Sequence, residues 1–386
     1  MTRGRLLLFW ALLVFGTLGA GELIVRLTLK PPGLLRRGDD AMLMMSQEPI
    51  GYALRPGASW HFTAGGHVAP IRINAWGFRD GPFDEAVKAN VRVLGVGDSF
   101  TLGLGVDSTD PWPEQLERLL QRQVGPSARV VNTGVPGYSA RQMRQTVEAV
   151  APELRPQVVI FAVTGDNYWR VERPYLLLEG HLVKTDALPM VRLGRDGVYY
   201  SPIMRWPWLN HFDIWLNQHF ELGAQLLSVT YRLYGWVVGT PATGSTAPAA
   251  KLIDLAEAEH RLAPTLDEML KADSVTRAEG AVFVALLVNT QQLDGSFDRN
   301  QFTYNAVFRR FCAEHGIRVV DPLPTLDQTA AGRPIYRSHD DPHWTRAAHL
   351  VVAKVLDDYL VAAGLIPGAG TRSERPNAPA KKAGRS

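Results

Sequence analysis

Two groups far apart in the chain have the types and spacings that nucleophilic catalysis requires. Ser99 directly follows Val91-Arg-Val-Leu-Gly-Val-Gly-Asp98, and Asp340-Asp-Pro-His343 lies near the other end of the 386-residue chain. An unassisted serine hydroxyl is a weak nucleophile near neutral pH and needs a base within hydrogen-bond reach. His343 is the candidate base: its imidazole can take the proton and return it to a leaving alcohol. Asp340, three residues earlier, can hold the other ring nitrogen and stabilise the imidazolium.

Position supports the assignment. Val91, Val93, Leu94 and Val96 form an almost unbroken apolar run, the pattern of a parallel strand covered on both faces. The run stops at Gly97, which places Ser99 just beyond the carboxyl end of a strand, where open α/β sheets gather their ligand sites. Two more strand-like runs end in small polar turns. Ala128-Arg-Val-Val131 leads into Asn132-Thr-Gly-Val-Pro-Gly137, and Val158-Val-Ile-Phe-Ala-Val163 leads into Gly165-Asp-Asn167.

Taken in order, Gly97-Asp98-Ser99-Phe100, Asn132 to Gly137, Gly165 to Asn167 and Asp340-x-x-His343 resemble the four blocks of the SGNH, or GDSL, hydrolases and esterases. The resemblance runs from about Val91 to Leu365, apart from a poorly matching middle, and Tyr168 stands where the family's third block has Asp. It implies an oxyanion hole made by the backbone N–H of Ser99, the backbone N–H of Gly137 and the side-chain amide of Asn167. Glycine suits such a place because it lets backbone approach a ligand closely.

Other readings of these residues are weaker. Gly95-Val-Gly97 could open a dinucleotide-binding turn, but the third glycine of that pattern would fall at Phe100. Ser99 is not enclosed in Gly-x-Ser-x-Gly, so the α/β-hydrolase elbow is unsupported. His339 and His343 are four apart without the zincin glutamate, and the histidines form no metal-binding pattern. Asn132 and Asp98 read as turn and hydrogen-bonding residues, and Asp341 is a competitor of Asp340. The acyl chemistry expected here needs neither metal nor cofactor.

The N-terminus addresses location. Arg3 and Arg5 precede Leu6 to Gly21, sixteen residues without a charge. As a helix this is about 24 Å long, and continuing through Val25 approaches the roughly 30 Å of a hydrocarbon core. An uncleaved single-pass anchor with the body outside the cytoplasm is the expectation; a cleaved secretory signal and a core helix are the alternatives. Arg26, Lys30, Arg36 and Arg37 blur the charge bias across the segment. Cys312 is the only cysteine, so an intrachain disulfide is impossible. A net charge of +3, partly in the tail, offers no basic-aromatic surface for nucleic acid.

The organisation follows: residues 1–30 as anchor or signal, 31–90 as a Gly/Pro-rich lead-in packing on the body, 91–366 as the catalytic domain and 367–386 as a basic, disordered tail. Helix-like segments at Pro113 to Gln123, Ala140 to Val150 and Tyr304 to His315 alternate with strands, including Ala281 to Val288 and Ile317 to Val320. That rhythm predicts a mostly parallel, three-layer α/β/α sheet, the fold the resemblance also implies. Asn74-Ala-Trp-Gly-Phe-Arg79 in the lead-in resembles a segment of membrane-tethered bacterial members of the family.

Residues 168–250 form an aromatic-rich insertion ending in a linker at Thr240 to Ala249. Trp206, Trp208 and Trp344 are the candidates for contacts with substrate, where aromatic faces pack on sugar rings or acyl chains. The insertion could instead rest at the membrane surface or bury its aromatics in a small core. The expected function is a membrane-anchored, extracytoplasmic serine esterase. Its expected substrate is an O-acylated, foremost O-acetylated, envelope or exported glycan, or a small ester. Two alternatives remain open: an O-acyltransferase using the same acyl-enzyme, and a non-catalytic glycan-binding or assembly protein that keeps the fold.

Overall fold

A computed structural model describes residues 3–28, 43–64, 67–79, 81–172, 174–178, 181–184, 192–194, 197–199, 208, 212, 215, 220, 222, 252–336 and 342–369. Helix α1 (Arg3–Thr28) comes first, and 22 of its residues, Gly4 to Val25, are long and apolar enough to cross a membrane. Two antiparallel hairpins follow, β1 (Met44–Gln47) with β2 (Gly51–Leu54) and β3 (Ser59–Ala64) with β4 (His67–Arg72). A short helix α2 (Phe83–Val87) then leads into the sheet.

The sheet strands are β5 (Val91–Val96), β6 (Ala128–Asn132) and β7 (Val158–Val163), followed after two small hairpins by β12 (Val282–Leu287) and β13 (Arg318–Val320). The hairpins are β8 (Tyr175–Leu178) with β9 (His181–Lys184) and β10 (Arg192–Gly194) with β11 (Gly197–Tyr199). All four pairings in the main sheet are parallel, and its order is β13-β12-β7-β5-β6. The chain enters the sheet at β5, next to one edge, moves to β6 at that edge, then crosses back to β7 on the other side of β5. The order therefore reverses beside the carboxyl end of β5, the point at which doubly wound sheets bind ligands.

Side chains alternate between two cores, as the period of a strand demands. Val91, Val93, Val158 and Ile160 face α4 (Trp112–Val124) and, from the chain's end, α9 (Arg346–Ala362). Leu94, Val96, Val159 and Phe161 face α5 (Ala140–Leu154), α6 (Leu255–Ala278) and α7 (Arg299–Glu314). Helix α3 (Ser99–Leu102) is the short turn after β5, and α8 (Leu323–Ala330) packs on α9 in the same core. This is the expected three-layer α/β/α arrangement. Burying each large apolar side chain in these cores contributes about 1.5–3 kcal/mol.

The observed helices extend the sequence segments by a few residues. Helix α5 runs to Leu154 through Pro152, and its start is fixed by a reciprocal capping box between Ser139 and Gln142. Helix α6 had no counterpart in the sequence reading, because Pro264 inside it reads as a helix breaker. Tyr52, Leu54, Trp60, Phe62 and Ile71 of the lead-in share one core with the α5 face of the sheet. Residues 43–87 are thus continuous in packing with the body. The linker at 240–249 and the tail from 370 lie outside the described residues.

Candidate active site

The geometry starts at the end of β5. Gly97 lets the chain turn tightly there: a Cβ on it would stand 2.0 Å from Thr101 Oγ1 and 3.1 Å from Ala162. Asp98 caps the turn, its carboxylate accepting the Phe100 N–H at 3.0 Å. Ser99 follows, largely buried, and its hydroxyl lies 2.7 Å from His343 Nε2. The two residues predicted as nucleophile and base are therefore within hydrogen-bond distance, although 244 positions separate them.

His343 is held from several sides. Its ring packs against Phe100 at 5.0 Å and, from the lead-in, Phe62 at 6.1 Å. The next residue, Trp344, is 2 % exposed and donates its indole N–H to the Asn289 carbonyl at 2.6 Å. This corrects the expectation of a substrate-binding Trp344: its polar tip finds a backbone acceptor at the carboxyl end of β12, so the indole is core and an anchor for His343. Thr345 N–H donates to the Tyr336 carbonyl at 3.0 Å, and Tyr336 N–H donates to Gln291 Oε1 at 2.8 Å. The chain on both sides of 337–341 is thereby pinned to the loop after β12. Asp340 itself, with Asp341 and His339, lies outside the described residues.

The second block surrounds Gly137. Asn132 proves to be a turn residue, as expected: it is buried, accepts the Gly134 N–H at 3.1 Å and donates to Glu114 at 3.0 Å. Val135 N–H donates to the Gly97 carbonyl at 3.2 Å, which ties this loop to the turn carrying Ser99. Gly137 has φ 81°, a conformation glycine adopts at no steric cost. A Cβ there would stand 2.9 Å from Tyr52 Oη, 3.1 Å from Tyr175 Cδ2 and 3.2 Å from Leu182 Cδ2. The backbone N–H groups of Ser99 and Gly137 make no hydrogen bond among the described residues. Buried, unpaired N–H groups are rare and call for an explanation.

The third block forms a 3₁₀ turn, Gly165–Val171. The backbone of Asn167 lies in it, while its side chain falls outside the described atoms. Tyr168, in place of the family's Asp, packs 6.0 Å from the Tyr304 ring and beneath the Arg261 guanidinium. It does not take over an acidic role. Arg170 supplies what sequence reasoning missed. Its Nη1 donates to Asp98 Oδ2 at 2.9 Å and reaches the Tyr138 carbonyl at 3.5 Å, with the aromatic faces of Trp169 and Tyr175 nearby. One guanidinium thus links all three blocks, next to Ser99, next to Gly137 and on the turn of Asn167. The only signal in the sequence was its place three residues after Asn167.

Arg79, at the end of the Asn74-to-Arg79 segment, was also missed as a site residue. It is buried and donates to four carbonyls, those of Leu102, Gly103, Pro70 and Val106. It therefore holds the turn that leaves Ser99. Of the remaining candidates, Trp208 is 67 % exposed, with Phe212, Trp215 and Phe220 also exposed, and Trp206 lies outside the described residues. A cavity of about 400 Å³ beside Glu85, Glu117 and Arg129 opens by the start of β6, and neither Ser99 nor His343 lines it.

Comparison with known proteins covers the stretch that holds the first three blocks. Residues 96–188 match the GDSL-like Lipase/Acylhydrolase family. No curated protein matches the chain. Similar solved structures include an α/β hydrolase from the metagenome of Lake Arreo, Spain, 16 % identical, covering 72 % of this chain and 96 % of that one, at a TM-score of 0.39. A catalytic mutant of an acetylxylan esterase from Geobacillus stearothermophilus is 14 % identical over 69 % of this chain and 93 % of its own, at 0.37. A member of the lipolytic protein G-D-S-L family from Veillonella parvula DSM 2008 is 12 % identical over 69 % and 96 %, at 0.36. Residues 96–188 are thus similar to the GDSL-like lipase/acylhydrolase family, which supports an SGNH-type hydrolase.

Proposed function

We propose that the protein is a membrane-anchored serine esterase that works through an acyl-serine intermediate. The observation that carries the reading is the 2.7 Å contact between Ser99 Oγ and His343 Nε2 at the switch point of the sheet. In the first half-reaction the Ser99 hydroxyl gives its proton to His343 and attacks the ester carbonyl. The oxyanion is held by the N–H groups of Ser99 and Gly137 and by the Asn167 amide. The intermediate collapses, the alcohol leaves with the proton from His343, and Ser99 carries the acyl group. Water, deprotonated by His343, then attacks the acyl carbonyl and releases the acid. Asp340 holds the second imidazole nitrogen and stabilises its charged form.

The proposed substrate is an O-acetylated glycan of the envelope or one being exported. Support comes from α1, whose apolar residues are almost all exposed, and from exposed aromatics at Trp208, Phe212 and Trp215, which suit sugar faces. Leu222 N–H donates to Glu22 at 2.7 Å, so the end of α1 is tied to the insertion. That contact favours an anchor retained in the mature protein; the proposed extracytoplasmic side of the body rests on Arg3 and Arg5 preceding the apolar segment. Transfer of the acyl group to a sugar hydroxyl has lost its particular support, because Trp344 is core.

The test is hydrolysis of p-nitrophenyl esters, from acetate to longer chains, by the full chain in detergent beside its Ser99→Ala variant. Turnover falling by on the order of 10³-fold or more in the variant supports the mechanism. Equal rates in the two proteins refute it.

A further inference from the structure

Gly137 N–H makes no hydrogen bond among the described residues, yet the peptide unit it belongs to is firmly held. The Pro136–Gly137 peptide is trans and planar, so its C=O and N–H point in opposite directions. Fixing the oxygen fixes the aim of the N–H. The oxygen is fixed by Tyr52, whose hydroxyl donates to the Pro136 carbonyl at 2.9 Å. Tyr52 is fully buried, on strand β2 of the lead-in, outside the segment that matches the family.

A reciprocal bond completes the clamp. Tyr138 donates its hydroxyl to the Tyr52 carbonyl at 2.7 Å, and the two rings meet edge to face at 5.3 Å. Gln142 Nε2 adds a bond to the Ile50 carbonyl at 3.0 Å. The β1–β2 hairpin is thus stitched to the loop after β6 on both sides of Gly137. An unclamped peptide after a proline, followed by a glycine, can rotate so that its carbonyl replaces its N–H.

We infer that Tyr52 is a positioning residue for the oxyanion hole: by holding the Pro136 carbonyl, it keeps the Gly137 N–H aimed at the ester oxygen. This rests on the reading of Ser99 as nucleophile and Gly137 as an oxyanion donor. It assigns to the lead-in a part in the chemistry, since the donor on the catalytic domain is oriented by a side chain from outside it.

The test is Tyr52→Phe in the full-length protein, which keeps the ring and removes the hydroxyl. Rates on an O-aryl acetate and on its thionoester, where sulfur replaces the carbonyl oxygen and accepts hydrogen bonds poorly, are expressed per active site titrated with a fluorophosphonate. Loss of folded protein then does not count as loss of activity. The expected result on the ester is a kcat lower by roughly 10- to 10²-fold with KM within about twofold, and a clearly smaller loss on the thionoester. An unchanged kcat per titrated site, or equal losses on the two substrates, overturns the role of Tyr52. Ser99→Ala is measured alongside: if it keeps full turnover, the reading of the site fails, independently of what Tyr52→Phe does.

Discussion

Replacing Arg170 by Met removes one charge from a buried pair beside the proposed nucleophile. The Asp98 side chain is 3 % exposed and the Arg170 side chain 13 % exposed, with 2.9 Å between Oδ2 and Nη1. At that separation and an effective dielectric constant of about 20, the gross attraction is roughly 6 kcal/mol. Desolvation of both ions offsets much of it, so the intact pair contributes far less in net. Removing the cation leaves a buried carboxylate whose remaining partners include the Phe100 N–H, and such removals cost about 3–5 kcal/mol. The same uncompensated charge stands beside Ser99, where the proposed mechanism develops an oxyanion, so kcat should fall by on the order of 10²-fold. Asp98→Asn keeps an acceptor for Phe100 and removes the charge. The pair Asp98→Asn/Arg170→Met should therefore regain most of the stability lost in Arg170→Met alone. Urea unfolding and rates per titrated site for the four proteins form a double-mutant cycle. The reasoning is refuted if Arg170→Met unfolds within about 0.5 kcal/mol of the parent protein, or if the double variant is no more stable than Arg170→Met.

Three further outcomes are expected. Trp344→Phe leaves the Asn289 carbonyl without its indole donor and should cost about 1–3 kcal/mol in urea unfolding while lowering kcat more than it changes KM. Gly137→Ala puts a Cβ 2.9 Å from Tyr52 Oη at φ 81°; destabilisation of at least about 1 kcal/mol and a loss of turnover should appear together in unfolding and rate measurements. His349 is fully buried, its Nδ1 accepts the Trp112 N–H at 3.1 Å, and burial lowers its pKa to about 3. The unfolded chain then binds a proton that the native protein refuses between the usual histidine value of about 6.5 and about 3. Stability should be full above that window and fall as pH drops through it. His349→Asn, which keeps an acceptor, should flatten this part of a plot of Tm against pH.

Much of the candidate site's placement was legible because strand and turn chemistry are local. The apolar run at Val91 to Val96 and its glycine stop fixed where Ser99 would lie, and the matching runs at Val130 and Val158 gave the parallel neighbours. What the sequence hid depends on partners distant along the chain. Tyr52, Phe62 and Arg79 sit in a lead-in with no catalytic motif, and only packing shows that they contact the Gly137 loop, His343 and the Ser99 turn. Trp344 was misplaced for the same reason: an indole beside a base reads as a substrate platform until its N–H is seen to meet the Asn289 carbonyl. Arg170 gave no signal by type, since a partly buried arginine and a solvated one look alike without the carboxylate at the other end.

The most direct measurement is to label the full-length protein with a fluorophosphonate, digest it, and locate the adduct by mass spectrometry, with and without Ser99→Ala. A single adduct on the peptide containing Ser99, absent from the variant and formed more slowly in His343→Ala, is the predicted result. An adduct on another residue, or equal labelling of parent and Ser99→Ala proteins, would contradict a nucleophilic serine activated by His343.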